Sequence, residues 1–162
     1  MTDIKVIFLD VDGVLNYSGC KVKCGKAWGI QPEKVALLKQ IVDATDAKIV
    51  LSSTWRLGYN KDHKRYENFA THLNKALDRE GLKIFDVTSD CGNGYRRGTE
   101  IRMWMMKAKQ DGYNVRKYVI LDDESFYDFA EHRLRSRFVH TNIDTGLTEK
   151  DVRKAISVLK RK

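Results

Sequence analysis

Short apolar runs alternate with helical patterns along most of this chain. Residues 4–9 form an apolar, β-rich run, and similar runs cover residues 48–51 and 118–121. A strand that is buried on both faces of a parallel sheet has this pattern. Between the first two runs, apolar residues recur at helical spacing over residues 32–44. The order strand, helix, strand predicts a parallel pair with a right-handed crossover.

The second half of the chain continues the alternation. Helical spacing covers residues 64–80, and residues 82–87 are a candidate short strand. A further helix is expected to start at Thr99 and to stop at Gly112, and residues 138–140 form another apolar run. This alternation predicts an α/β fold, a Rossmann-like three-layer α/β/α sandwich around a parallel sheet.

Two pairs of residues have the spacing of a helix capping box. Thr148 and Asp151 precede the last helical pattern, and Ser125 and Asp128 follow the third strong strand. In a capping box, each side chain bonds a backbone N–H at the start of the same helix. We therefore expect Asp151 and Asp128 to be caps of the helices in which they lie.

Length and apolar content limit the class of protein. A chain of 162 residues is expected to form a single domain over residues 1–162. Its apolar runs are far shorter than the roughly 20 residues needed to cross a bilayer, and no signal-peptide pattern precedes the first strand. These features predict a soluble cytoplasmic protein. The three cysteines, Cys20, Cys24 and Cys91, are odd in number and are expected to be reduced thiols. A zinc site is not expected, since no second ligand pair accompanies the C-x3-C spacing of Cys20 and Cys24.

The chain is basic, with 30 lysines and arginines against 22 acidic residues and a net charge of +8. Such a charge favours phosphate-rich partners and speeds their encounter. Part of the excess lies in the final helical segment, where basic residues also suit the helix dipole. Charge alone therefore leaves nucleic acid as one open alternative.

Polar side chains follow three of the predicted strands. Asp10 and Asp12 end the first, Ser52 ends the second, and Asp122 and Asp123 end the third. Parallel strands bring these ends to one edge of the sheet, where open α/β sheets bind ligands. Carboxylates this close repel each other unless a cation or a shared proton relieves them. The pattern therefore favours a divalent metal at this edge.

Four short motifs, in order, resemble those of the haloacid dehalogenase (HAD) superfamily of phosphatases. They are DVDGVL from Asp10, the strand that ends in Ser52, Arg97, and VILDD, which ends in Asp123. The segments SSTWR, RGTEIRMWM and FVHTNIDTGLT are similar to those of a narrower group, the HAD domains of Swiss Army Knife RNA repair proteins. The resemblance covers nearly the whole chain and implies a HAD-like core.

The resemblance also implies a role for each catalytic residue. Asp10 would be the nucleophile that forms an aspartyl-phosphate, and Asp12 would be the general acid and then the base. Ser52 would donate a hydrogen bond to a phosphoryl oxygen, and Arg97 would neutralise charge. Arg96 and Arg102 compete for the role of Arg97, and Ser53 and Thr54 compete for that of Ser52.

A magnesium ion is the cofactor that the resemblance implies. Mg²⁺ would be held by Asp10, by the backbone carbonyl of Asp12 and by Asp122, and Asp123 would orient the ligand shell. An enzyme of this kind hydrolyses phosphomonoesters.

The segment between the first two motifs suggests an open site. Residues 16–30 are rich in glycine and lysine and look like a short flap, and no gap leaves room for a large cap domain. The first hypothesis is a 3′-phosphatase for DNA or RNA ends, with the flap lysines, Arg56 and Trp28 or Trp55 near the substrate, although packing is the more common role of each tryptophan. The alternatives are a phosphatase for a small phosphoester and a non-catalytic module that binds phosphorylated ends. A repair kinase or ligase is a candidate partner, and the oligomeric state stays open.

Overall fold

The structure, a computed structural model, describes residues 1–92 and 96–161. The predicted single domain over residues 1–162 includes residues 93–95 and 162, which lie outside this description. Within the described ranges there are seven strands: β1 (Thr2–Leu9), β2 (Lys23–Cys24), β3 (Ala27–Trp28), β4 (Lys48–Leu51), β5 (Ile84–Val87), β6 (Tyr113–Asp122) and β7 (Phe138–His140).

Five of these strands form one parallel sheet, in the order β5, β4, β1, β6, β7. The helices in the described ranges are α1 (Pro32–Thr45), α2 (Glu67–Asp78), α3 (Arg97–Gln110), α4 (Asp128–Glu131) and α5 (Glu149–Lys160). Side chains of α1, α2 and α5 pack on one face of the sheet, and those of α3 and α4 pack on the other. The predicted three-layer α/β fold is confirmed.

The central strand β1 explains the uninterrupted apolar run. Ile7 and Leu9 point into the core beneath α1, α2 and α5, whereas Val6 and Phe8 point into the core beneath α3 and α4. All four side chains are fully buried. Successive residues of a strand face opposite sides of a sheet, so a strand covered on both sides needs apolar residues throughout.

Several predicted boundaries are wrong by a few residues. β6 starts at Tyr113 rather than at residue 118. Its first half pairs with the start of β1 but is not fully buried, so it lacks the apolar run from which the strand was predicted. The helix predicted over residues 64–80 is a 3-10 turn at Lys64–Tyr66 followed by α2. α3 begins two residues before Thr99, so that Arg97 is its first residue.

Residues 16–30 contain the short flap that the sequence predicted, in which β2 and β3 pair as an antiparallel hairpin. The flap is attached to α2, since the backbone N–H of Ile30 donates to His72 Nε2 at 2.9 Å. Gly29 packs so closely that a Cβ there would lie 2.8 Å from the same nitrogen. No large cap domain is present among residues 1–92 and 96–161.

Asp128 is a cap, although not of the helix in which it lies. Its carboxylate accepts hydrogen bonds from the backbone N–H of Gly98 at 3.0 Å and of Thr99 at 2.8 Å, at the start of α3. The first N–H groups of a helix lack partners within that helix, and a buried anion stabilises them. The capping box of Thr148 and Asp151 is confirmed at the start of α5.

The described part of the chain has no helix that is long and apolar enough to cross a membrane. Cys20, Cys24 and Cys91 are free thiols, as the sequence predicted.

We predict that Asp128→Ala destabilises the protein by about 2 kcal/mol, because two backbone N–H groups of α3 lose a buried acceptor. Urea denaturation followed by circular dichroism measures this change. The matched control is Asp144→Ala, which removes an exposed carboxylate and should leave the free energy of unfolding within about 0.5 kcal/mol of wild type. Equal stability of the two variants would contradict the capping role.

Candidate active site

The ends of β1, β4 and β6 meet at one edge of the sheet, as the sequence predicted. Sheet hydrogen bonding continues one residue past the strands: the N–H of Asp10 donates to the carbonyl of Leu121 at 3.0 Å, and the N–H of Ser52 donates to that of Leu9 at 2.8 Å. These bonds place the backbone of both polar residues in the framework of the sheet.

Three carboxylates converge at this edge. Oxygens of Asp10, Asp122 and Asp123 lie within 4.8 Å of one another; the first two residues are buried and the third is half buried. Gly13 is required here: its φ is +78°, and a Cβ would lie 2.5 Å from the carboxyl carbon of Asp123. Its carbonyl accepts a 2.7 Å bond from Thr141 Oγ1, which links this turn to the segment after β7.

Arg97 supplies the positive charge of the site. Its Nη1 lies 3.6 Å from Asp10 Oδ1 and 3.3 Å from Asp122 Oδ2, and it donates to the backbone carbonyl of Ser52. The competing arginines lie elsewhere: Arg96 is exposed, and Arg102 donates to the carbonyl of His132. Of the three candidates, Arg97 is therefore the one that the fold brings to the carboxylates.

Burial dominates the electrostatics of this cluster. It raises the pKa of Asp10 well above its ordinary range, the nearby charge of Asp122 adds to the effect, and Arg97 opposes it. Burial likewise raises the pKa of Asp122 to about 6, again against the influence of Arg97. Desolvation penalises the charged form of a carboxyl group, and one arginine compensates only part of that cost.

Asp12 lies beside the cluster rather than in it. Its Oδ1 accepts a 2.8 Å bond from Asn16 Nδ2, and its Oδ2 accepts a 3.3 Å bond from Trp55 Nε1. Asn16 is itself held in place, because its Oδ1 accepts the N–H of Gly13 at 3.0 Å. The side chain of Asp12 is thus oriented by two donors and stays partly accessible to solvent.

Ser52 has a hydroxyl that no described residue uses. Its Oγ is buried and has no hydrogen-bond partner in the described part of the chain. Ser53 Oγ instead accepts the N–H of Trp55 at 3.2 Å, and Thr54 is exposed. A buried hydroxyl without a hydrogen-bond partner costs free energy. A ligand that accepts a hydrogen bond from this hydroxyl would remove that cost.

Two residues with predicted roles near a substrate also have structural partners. Arg56 is buried and forms a two-bond ion pair with Glu100, at 3.0 and 2.9 Å, so its guanidinium is held by a carboxylate of the protein. Trp55 is buried against Phe69, with ring centroids 4.9 Å apart, and only its N–H reaches Asp12. Trp28 is half buried in the flap.

Sequence patterns did not reveal several supporting residues. Glu100 lies between Arg56 and Arg97, with its Oε2 3.8 Å from Arg97 Nε. Glu100 lies one helical turn after Arg97, and this spacing could have indicated an ion pair between the two side chains. Asn16, four residues after Asp12, offered a comparable signal, but an asparagine near a turn has many other roles.

The donor set of this site fits a divalent cation. Carboxylate oxygens are the ligands that Mg²⁺ prefers, and three of them lie within reach of one another. Burial raises the pKa values of Asp10 and Asp122 because it penalises their charged forms, and a bound cation would offset that penalty. The carboxylate of Asp12 is outside this set and accepts bonds from Asn16 and Trp55 instead.

We predict that Asp122→Asn stabilises the metal-free protein at about pH 8. The pKa of Asp122 in the folded state is about 6, above its ordinary 3.8. Above about pH 6 the folded protein therefore bears the cost of a buried carboxylate, and this cost is lost as the pH falls from about 6 to about 4. The stabilisation should accordingly shrink to nothing near pH 4, as measured by urea denaturation in EDTA.

Magnesium should reverse the order of stability. At a Mg²⁺ concentration about 100-fold above Kd, the wild type should gain about 2.7 kcal/mol and Asp122→Asn much less. A wild type that gains no stability from Mg²⁺ would contradict the metal site.

Comparison with known proteins supports the fold and the family. Among curated proteins, no sequence matches this chain. A crystal structure from Mesorhizobium loti, described as that of a HAD-like phosphatase, superposes with a TM-score of 0.57 at 10% identity, over 99% of this chain and 88% of that chain. At this identity, the likeness shows the fold.

A family model provides the stronger result. The model described as the HAD domain in Swiss Army Knife RNA repair proteins matches residues 6–152, which include every residue assigned above to the site. The HAD-type phosphatase domain that the four motifs predicted is thereby confirmed. The chain belongs to the family of HAD domains found in Swiss Army Knife RNA repair proteins.

Proposed function

We propose that this protein is a Mg²⁺-dependent phosphomonoester hydrolase that removes a 3′-phosphate from a nucleic-acid end. The observation that carries the proposal is the convergence of a buried carboxylate cluster with Arg97 and the unpartnered hydroxyl of Ser52. Such a site offers a nucleophile, a cation and a hydrogen-bond donor to one phosphoryl group.

Asp10 is the nucleophile in the first step. One of its oxygens forms a bond to phosphorus while the bond from phosphorus to the leaving oxygen breaks, and Asp12 donates its proton to that oxygen. Arg97, 3.6 Å from Asp10 Oδ1, offsets the negative charge of the phosphoryl group. Ser52 Oγ donates to a phosphoryl oxygen and so gains the partner that it lacks.

Water attacks the aspartyl-phosphate in the second step. Asp12, now a carboxylate, takes a proton from the attacking water, and the bond between phosphorus and Asp10 breaks to release inorganic phosphate. The hydrogen bonds from Asn16 and Trp55 keep Asp12 in position for both proton transfers. Of these bonds the one to Oδ2 is longer, so we assign the transferred proton to that oxygen.

The proposed metal ligands are Asp10, Asp122 and the backbone carbonyl of Asp12, with Asp123 orienting the ligand shell. Bound Mg²⁺ would neutralise charge on the phosphoryl group and align it for attack.

Three observations support a nucleic-acid end as the substrate. No large cap covers the site within the described ranges, the net charge is +8, and the family model describes domains of RNA repair proteins. An uncapped site admits the end of a long strand, and a basic surface attracts its phosphates. A cytoplasmic location and a repair kinase or ligase partner are part of the same proposal.

We predict Mg²⁺-dependent phosphate release that is fastest from a 3′-phosphorylated oligonucleotide. The same assay is run on a 5′-phosphorylated oligonucleotide, on mononucleotides and on sugar phosphates. Asp10→Asn should lower kcat by at least about 10³-fold on every substrate, since no other group forms the covalent bond. The isosteric control Asp144→Asn should keep wild-type activity.

Each other outcome selects a different function. A preference for mononucleotides or sugar phosphates would show that the substrate is a small phosphoester rather than a nucleic-acid end. Binding of phosphorylated ends without turnover would support the non-catalytic module. Phosphate release that persists in Asp10→Asn would show that the assigned mechanism is wrong.

We predict that Trp55→Phe lowers kcat about tenfold and changes KM little, because it removes an N–H donor that orients Asp12 while an aromatic ring still packs on Phe69. The matched control is Trp104→Phe, which removes a 2.8 Å bond from Nε1 to Asp86, a carboxylate away from the site. Equal kcat values for the two variants would show that Trp55 does not position Asp12 for catalysis.

A further inference from the structure

A basic groove runs between the flap and α2, and the reaction assigned above does not use it. The groove has a volume of about 760 Å³, and its cations are Lys23 from the flap and Lys64, Arg65 and Lys75 from the α2 side. Glu67 is the one acidic residue in its lining. We call this feature the flap groove.

Two neighbouring side chains, Trp55 and His72, connect the active site to the flap groove. The indole N–H of Trp55 bonds Asp12 Oδ2 at 3.3 Å, and the same ring lies 6.3 Å, between centroids, from the ring of His72. His72 lines the groove. The rings of Trp55 and His72 therefore lie between Asp12 and the groove.

This arrangement determines where a leaving strand would go. Asp12 protonates the leaving oxygen in the proposed mechanism, so Asp12 marks the side of phosphorus from which the rest of the substrate departs. Arg97 and Ser52 bind the phosphoryl group itself. The contacts that run from Asp12 through Trp55 to His72 lead toward the flap groove, so the groove lies on the Asp12 side of the site.

The walls of the groove are held together. The bond from the N–H of Ile30 to His72 Nε2 ties the flap to α2 and requires that this nitrogen carry no proton. Burial also lowers the pKa of His72, which favours the neutral ring. Asn68 Nδ2 also lies 3.8 Å from the sulfur of Cys24. A rigid groove loses little conformational entropy when it binds a ligand.

The segment that precedes α2 adds aromatic surface to this charge. Tyr66 is half buried, the guanidinium carbon of Arg65 lies 4.7 Å from its ring centroid, and His63 lies 6.3 Å from it. A basic groove beside aromatic rings is the surface on which single-stranded nucleic acids bind, with cations on the phosphates and rings on the bases.

We propose that the flap groove binds the sugar–phosphate backbone of the single-stranded nucleic acid whose phosphorylated end lies at Asp10. This inference rests on the proposed function and specifies it: the groove selects a strand over a small phosphoester. DNA and RNA share the phosphodiester chemistry that the groove recognises, so the experiment includes both.

The test is a triple variant, Lys23→Gln, Lys64→Gln and Arg65→Gln. All three side chains are exposed, and none belongs to the catalytic site. The chain also offers a matched control: Lys48, Lys160 and Arg161 line a second basic pocket at the opposite edge of the sheet, where the strands begin, and all three are exposed. Their replacement by glutamine lowers the net charge by the same three units.

We expect the groove variant to raise KM at least about tenfold for 3′-phosphorylated DNA or RNA oligonucleotides, and to keep kcat/KM for p-nitrophenyl phosphate within about twofold of wild type. The dependence of the logarithm of oligonucleotide affinity on the logarithm of salt concentration should become less steep by about 2, because each phosphate contact to a single strand contributes about 0.7. The control triple variant should show the smaller effects of net charge alone.

The possible failures are distinguishable. If wild type hydrolyses oligonucleotides no better than p-nitrophenyl phosphate, the nucleic-acid part of the proposed function fails, and the groove proposal fails with it. If wild type prefers oligonucleotides but both triple variants lose affinity equally, the proposed function stands and the flap groove is not the binding surface. Thermal unfolding of all variants checks that each one folds.

Discussion

The charge balance around Arg97 is the interaction on which the site depends. Its guanidinium lies among Asp10, Asp122 and Glu100, all of them buried, and it also bonds the backbone carbonyl of Ser52. Removing Arg97 would leave the buried carboxylates of Asp10 and Asp122 without a neighbouring cation, and an uncompensated buried charge costs about 3–5 kcal/mol. The proposed nucleophile Asp10, the proposed metal ligand Asp122 and the cation Arg97 therefore form one electrostatic unit rather than three separate features.

A second layer of contacts holds that unit in place. Arg97 is the first residue of α3, and the start of this helix is capped by Asp128, the first residue of α4. Glu100, one turn later, is bound by Arg56, which follows β4. The position of the cation thus depends on two buried carboxylates whose partners are groups of the protein, and this explains why charged residues occur deep in a small protein.

Much of the fold and the site was predictable because both depend on local patterns. Asp10, Ser52 and Asp122 end buried strands, and parallel strands necessarily bring these ends together. The errors arose where a residue's partner is remote in sequence. Asp128 has capping-box spacing but caps α3, and Arg56 follows a site residue but pairs with Glu100, 44 positions away.

By itself, the sequence determined the parallel α/β architecture, the strand-end carboxylates and the HAD motifs, since apolar periodicity and motif spacing are properties of neighbouring residues. Only the tertiary structure showed that Arg97, rather than Arg96 or Arg102, lies beside the carboxylates. It also revealed the hydrogen bond from Trp55 to Asp12 and the one that attaches the flap to α2. The physical reason is that hydrogen bonds and ion pairs act over a few ångströms in space, whatever the separation of their partners along the chain.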